Sequence, residues 1–238
     1  MALLVPRRRR GQEYLDDPVI NARLAQRSME DVARSNALFG GAHAVLAELD
    51  EVFTEALGTR PHPQLTLLDV GTGLGDIPAR VRERAARRGI FLQTVGLDTS
   101  NVLTVAARAD ALPIVRADAL ALPMANRSVD IVMCSQVLHH FRGDDGTRLL
   151  LELDRVARVR VVVSDIRRSW LAAAGIWLAS WPLRFHPVSR HDGVVSVLRG
   201  FTREELAAAV MAAVGVAPRV RRHRGFRVTA SWRPRGGP

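Results

Sequence analysis

Between residues 65 and 164 the chain alternates short apolar runs with longer stretches of helical spacing. The runs cover residues 65–70, 91–97, 114–117, 129–134 and 159–164. The stretches 76–88, 100–110 and 144–158 lie between them and carry apolar residues on one helical face. Runs this short, apolar throughout and bounded by amphipathic segments, are the signature of strands buried on both faces. The pattern therefore predicts a parallel sheet with helices on either side. Before it, residues 28–57 have helical spacing, with Ser28 and Asp31 as the expected helix start and Gly40-Gly41 as the divide between two helices. Thr59-Arg60-Pro61-His62-Pro63 breaks that pattern, so residues 1–60 are expected as an N-terminal helical cap and 61–238 as the main domain.

The last third reads differently. Residues 167–183 form a helical segment on which Trp170, Trp177 and Trp181 fall within about 40° of one another. Such a stripe is expected to pack in the core, with a lid over a flat acceptor as its alternative. Residues 185–201, rich in His, Arg, Ser and Gly, read as a loop. Thr202 is the expected N-cap of a helix over 202–214, with Glu204 and Glu205 in its first turn. Residues 219–223 and 226–232, joined by Arg224-Gly225, read as a closing hairpin.

Charge looks at first like a nucleic-acid signal. The net charge is +10, and all 34 basic residues are Arg. Seven of them, against no acid, lie in residues 206–238, whereas residues 1–205 hold 27 Arg and 24 acids. Aromatic residues make up only 5% and do not interleave with that cluster, so solvated Arg side chains are the preferred reading over a binding face. A single cysteine, Cys134, excludes a disulfide scaffold and a Cys-rich zinc site. No apolar run reaches the ~18–20 residues of a membrane-spanning helix, and a cytoplasmic location is expected.

Chemistry concentrates after the first run. Asp69-Val70-Gly71-Thr72-Gly73-Leu74-Gly75 ends a strand in a glycine turn that opens a helix, where open α/β sheets bring backbone against a ligand. The G-x-G-x-G spacing departs from the dinucleotide G-x-G-x-x-G, and a chain without Lys cannot build a P-loop. Asp98 ends the second run, Asp118-Ala119 follow the third, and Ser135-Gln136-Val137-Leu138-His139-His140 follow the fourth.

Together these four motifs resemble the class I S-adenosylmethionine-dependent methyltransferases, in the small-molecule branch similar to the ubiquinone and menaquinone biosynthesis enzymes. The resemblance covers roughly residues 65–165. It implies a Rossmann-like, mostly parallel seven-stranded sheet with an antiparallel last strand, helices on both faces and an acceptor-site insertion over 165–201. It further implies that Asp69, Gly71, Thr72, Gly73, Gly75 and Asp76 hold the methionine end of S-adenosylmethionine. Asp98 and Thr99 would meet the ribose and Asp118 and Ala119 the adenine edge, with Ser135 and Gln136 bordering the sulfonium; S-adenosylhomocysteine is the implied product. Asp130 is read as structural.

His139 and His140 are candidate general bases, since a histidine can take a phenolic proton near neutral pH; packing of the next helix is the competing reading. Arg190, His191 and Trp177 are candidate acceptor contacts, with a solvated loop as the alternative for Arg190-His191-Asp192. No carboxylate and amide triad for a catalytic metal is found, so no metal is expected. The leading expectation is O- or C-methylation of a small aromatic, phenolic or quinone-like metabolite. The alternatives are methylation of RNA or another nucleic acid through the Arg-rich C-terminus, and a non-catalytic cofactor-binding or membrane-surface protein that makes contact through Arg7–Arg10 and the Trp helix.

Overall fold

The computed structural model describes residues 5–9, 11–17, 19–100, 103 and 112–235. Seven strands form one sheet: β1 (Gln64–Val70), β2 (Phe91–Asp98), β3 (Ile114–Arg116), β4 (Val129–Ser135), β5 (Ala157–Ile166), β6 (Arg219–His223) and β7 (Arg227–Trp232). Their order is β3-β2-β1-β4-β5-β7-β6. β1 to β5 run parallel, and β7 inserts antiparallel between β5 and β6. The alternation predicts the parallel part of this sheet, and the Rossmann-like seven-stranded arrangement with β7 antiparallel is the one that the resemblance implies. The strand order reverses between β1 and β4, and in sheets of this class that crevice is where ligands bind.

Among the described residues there are seven α-helices: α1 (Ala22–Leu38), α2 (Gly41–Thr59), α3 (Asp76–Arg87), α4 (Gly143–Val156), α5 (Trp170–Ala179), α6 (Pro187–Arg199) and α7 (Arg203–Val214). One face of the sheet packs Leu65, Leu67, Ile131 and Met133 against Val45, Leu49 and Phe53 of α2 and Val81 of α3. The other packs Leu68, Val132 and Val163 against Leu149 and Leu153 of α4 and Leu206 and Val210 of α7. Each fully buried Leu or Phe contributes about 1.5–3 kcal/mol, so the two cores fix the strand register on which the site depends. Asp130 accepts from the Thr66 N–H and hydroxyl (2.9 Å each) and from Arg158, which pins the start of β4 to β1.

Three expectations are corrected. The first helix starts at Ala22 rather than Ser28, because Asn21 Oδ1 accepts from the N–H groups of Arg23 and Leu24. Ser28 is buried within that helix, and Asp31 instead takes Arg27, Arg34 and the His186 N–H. Residues 187–199, read as a loop, form α6, capped by His186 Nδ1 accepting from the Val188 N–H, with Pro187 in the first turn. The Trp stripe does not pack in the core: Trp170, Trp177 and Trp181 are 41%, 48% and 53% exposed. The helix expected over 100–110 lies, apart from Ser100 and Leu103, outside the described residues.

Candidate functional site

Two groups of polar residues meet at the C-terminal ends of β1, β2, β4 and β5. The first surrounds the glycine turn. Gly71 and Thr72 donate their N–H groups to Leu97 O at 2.8 and 3.0 Å, which ties the turn to β2. Gly71 has φ +74°, and a Cβ there would stand 2.3 Å from Val137 Cγ2, so the position requires glycine. Gly75, also left-handed, leads into α3. Asp69 is buried; its Oδ2 accepts from Thr72 Oγ1 at 2.8 Å, while its Oδ1 has no partner among the described residues. Asp98 accepts from the N–H groups of Gly73 (3.0 Å) and Ser100 (2.9 Å), and Asp76 from Asn36 Nδ2.

All three carboxyls titrate above the usual carboxylate range, and burial is the largest cause in each. Asp69 is carried furthest, to about 7, because only Thr72 opposes burial while the charges of Asp76 and Asp98 add to it. Ser135 Oγ, at the end of β4, is likewise buried and without a partner. Buried carboxyls that repel one another, together with an orphaned oxygen and hydroxyl, fit a ligand with a cationic end. Gln136 is held in the left-handed region (φ +58°) and joins α1 to β7, donating to Asn36 Oδ1 and accepting from Arg227 Nη1 at 2.5 Å. Asp118 is exposed and accepts from the Leu120 N–H, while Ala119 is buried. Thr99 is exposed, and its carbonyl accepts from Arg116 Nε.

The second group lies one turn further along. Leu138–His140 form a single 3₁₀ turn after β4. His139 is buried, and its Nδ1 stands 2.8 Å from Asp165 Oδ1 at the end of β5. Asp165, fully buried, also accepts from the N–H groups of His139 (3.1 Å) and Ile166 (2.6 Å). His139 Nε2 has no hydrogen-bond partner among the described residues, and Glu13 Oε1 stands 3.7 Å from it. His140 Nδ1 is 2.7 Å from Asp16 Oδ1. Arg199 closes the cluster, at 3.0 Å from Glu13 and 2.6 Å from Asp16.

Burial alone would push the His139 imidazolium down, yet the charge and hydrogen bond of Asp165 and the carboxylate of Glu13 carry it up to about 9. Burial raises Asp16 too, but His140 and Arg199 hold it far below the usual range. A cavity of about 200 Å³ adjoins this cluster, lined by Arg8, Arg9, His139, Phe141 and Arg199 among others. A larger groove, about 530 Å³, lies at the opposite ends of β1 and β2 around Gln64 and Phe91, away from both groups.

Sequence reasoning missed four members of the cluster. Asp165 carried a signal, as an acid closing an apolar run; Glu13 and Asp16 sit in a short acidic segment inside an Arg-rich N-terminus. Arg199 gave none. The residues chosen as acceptor contacts are engaged elsewhere. Arg190 stacks on Trp181 (3.7 Å to the ring centroid) and donates to Ser180 Oγ, while His191 packs on Tyr14. Asp192, buried, accepts from the N–H groups of Tyr14 and Leu15 and so fastens the segment that carries Glu13 and Asp16.

The family model for "Methyltransferase domain" matches residues 68–163, which run from β1 through both groups into β5. The chain carries a methyltransferase domain over these residues. Solved methyltransferases share its fold. An S-adenosylmethionine-dependent methyltransferase from Aquifex aeolicus aligns at 15% identity over 76% of this chain and 87% of its own, with a TM-score of 0.54. Magnesium protoporphyrin IX methyltransferase from Synechocystis, crystallised with S-adenosylmethionine, aligns at 15% identity over 81% and 80%, with a TM-score of 0.51. The protein complexed with the Trm112 methyltransferase activator of Haloferax volcanii aligns at 16% identity over 93% and 98%, with a TM-score of 0.54. No curated protein sequence matches the chain. The cofactor of this methyltransferase is S-adenosylmethionine, and the orphaned Asp69 carboxyl oxygen at the end of β1 suits a ligand with a cationic centre.

Proposed function

We propose that this methyltransferase acts on a small phenolic, quinol-like or other aromatic acceptor, methylating oxygen or carbon. The single observation behind this reading is the carboxylate–imidazole cluster directly after Ser135 and Gln136. When bound, S-adenosylmethionine supplies an electrophilic methyl group on a sulfonium. Asp69, Asp76 and the backbone from Gly71 to Gly75 are assigned to its methionine end, Asp98 and Thr99 to the ribose, Asp118 and Ala119 to the adenine edge, and Ser135 and Gln136 to the sulfonium. The chain's own task is to hold the acceptor and take its proton.

The two histidines divide that task. His139, an imidazolium between two carboxylates, is a donor at neutral pH and organises the cluster. His140, half-buried, has Nδ1 2.7 Å from Asp16 Oδ1 and Nε2 3.9 Å from Glu13 Oε2, and the Asp16 contact orients the ring as it would a general base that accepts at Nε2. A phenol or quinol brings the acidic hydroxyl that such a base serves. Against a nucleic-acid substrate stands the fate of the basic C-terminus. Arg219 and Arg221 pair with Glu48 and Glu51, Arg233 with Glu55, and Arg227 is buried.

Release of S-adenosylhomocysteine from a panel of phenols, hydroquinones, amines and RNA tests this reading. Turnover is expected with hydroxylated aromatics, and His140→Gln should lower kcat by about 10²–10⁴-fold with cofactor affinity unchanged. Turnover confined to RNA or amines, or a His140→Gln enzyme with wild-type kcat, would contradict it.

A further inference from the structure

We propose that α5 is a docking face for the surface of an anionic lipid bilayer. The helix reads Trp-Leu-Ala-Ala-Ala-Gly-Ile-Trp-Leu-Ala and is apolar around its whole circumference. Only Ala172 and Ala173 are buried in it, packed against Val197 and Leu198 of α6. Ile176 is partly buried against the same apolar cluster, while Leu171 and Leu178 are 57% and 60% exposed, alongside Trp170, Trp177 and Trp181. A helix apolar all round belongs in a core or against an apolar medium, and this one has a protein partner on one narrow side.

The charges around the patch select the medium. Residues 166–191 contain no acid, and of their four Arg only Arg168 is buried, paired with Glu205. Arg184 and Arg9 are exposed, the Arg9 guanidinium lies 5.4 Å from the Trp170 ring centroid, and Arg190 covers Trp181. Trp and Leu over a basic rim form the composition of a helix lying in the headgroup layer. Indole rings favour that depth, and Arg side chains near an anionic surface add electrostatic attraction. A second copy of this chain is a poorer occupant. A two-fold contact would lay each Arg rim on its own copy with no acid between them. The face also adjoins the cavity at His139, since Arg9 both lines that cavity and lies over Trp170. An acceptor dissolved in the bilayer would therefore meet the cluster at the membrane surface.

Vesicle co-sedimentation of the full chain tests this, using phosphatidylcholine alone and phosphatidylcholine with phosphatidylglycerol. The wild type is expected to sediment with the phosphatidylglycerol vesicles and to be released by high salt, which screens charge within about 10 Å at 0.1 M. The double variant L171E/L178E should lose at least about tenfold in partitioning, because each Leu removed from apolar surroundings is a large term. S-Adenosylmethionine affinity of that variant, equal to wild type, shows that it is folded. A wild type that stays in the supernatant with both vesicles overturns the proposal. So does a folded variant that sediments like wild type. Concentration-dependent dimerisation that the variant abolishes, without vesicle binding, also overturns it and assigns the face to a second copy.

Discussion

At the scale of single residues the site is governed by burial, and burial acts oppositely on its two halves. Around Asp69 it is opposed only by the Thr72 hydrogen bond, so the carboxyl titrates near 7. Binding of the cationic cofactor should lower that value and release a proton near neutral pH. Calorimetry in buffers of different ionisation enthalpy would detect the release, and Asp69→Asn should abolish it. Around His139 burial is overcome by Asp165 and Glu13, and the folded state holds the ring protonated to about 9 against about 6.5 in an unfolded chain. A raised folded value means that the stabilisation is complete below about pH 6.5 and is lost as pH rises through about 9. Thermal melting should show this fall between those limits, and His139→Gln should flatten it; an unchanged slope would remove the ring from its two carboxylates.

At the scale of elements, what the sequence disclosed depended on whether local pattern or tertiary contact decided the outcome. β1 to β5, α3 and the closing hairpin follow from apolar runs, the glycine turn and period-two alternation. The Thr202 cap forms as expected, with Thr202 Oγ1 accepting from the Glu205 N–H and Glu205 reaching back to Thr202. α6 was hidden because Val-rich, Gly-containing segments have weak helix propensity. Its support is tertiary: Val197 and Leu198 on α5, and Arg199 on Glu13 and Asp16. Periodicity likewise places three Trp on one face of α5 without saying whether that face turns inward.

The C-terminal Arg cluster was legible as charge but not as pairing, since its partners lie some 170 residues earlier on α2. Glu48 shows this most clearly. Burial raises its carboxyl, but His223, Thr229 and Arg219 bring it down to about 2. A depressed folded value contributes stability above about pH 4.5 that is lost as pH falls through about 2. Glu48→Ala leaves the Thr229 hydroxyl without its acceptor and removes the carboxylate beside His223. It should cost about 1–3 kcal/mol in denaturant unfolding at pH 7 and reduce the acid sensitivity.

At the scale of the whole molecule, the architecture brings four strand ends and the N-terminal segment to one edge. Gly73 lies beneath Met29 of α1, and Gly71 beneath Val137 after β4, so the α1 layer covers the glycine turn from above. The motif order alone brings the residues proposed for the cofactor to this edge, because each motif lies at the end of its own strand. The cluster proposed for the acceptor could not be read in this way, because Glu13 with Asp16, Asp165 and Arg199 come from three distant segments that only the fold unites. No helix among the described residues is long and apolar enough to cross a membrane. The account rests on the cofactor lying across the ends of β1 and β2, with Asp98 as its principal ribose contact. Calorimetric titration with S-adenosylmethionine of the wild type and of Asp98→Ala tests this most directly. A lost charge-assisted hydrogen bond of about 1.5–3 kcal/mol predicts an affinity roughly 10- to 150-fold weaker in the variant. Equal affinities would contradict the assignment of Asp98, and no binding by the wild type would contradict the site as a whole.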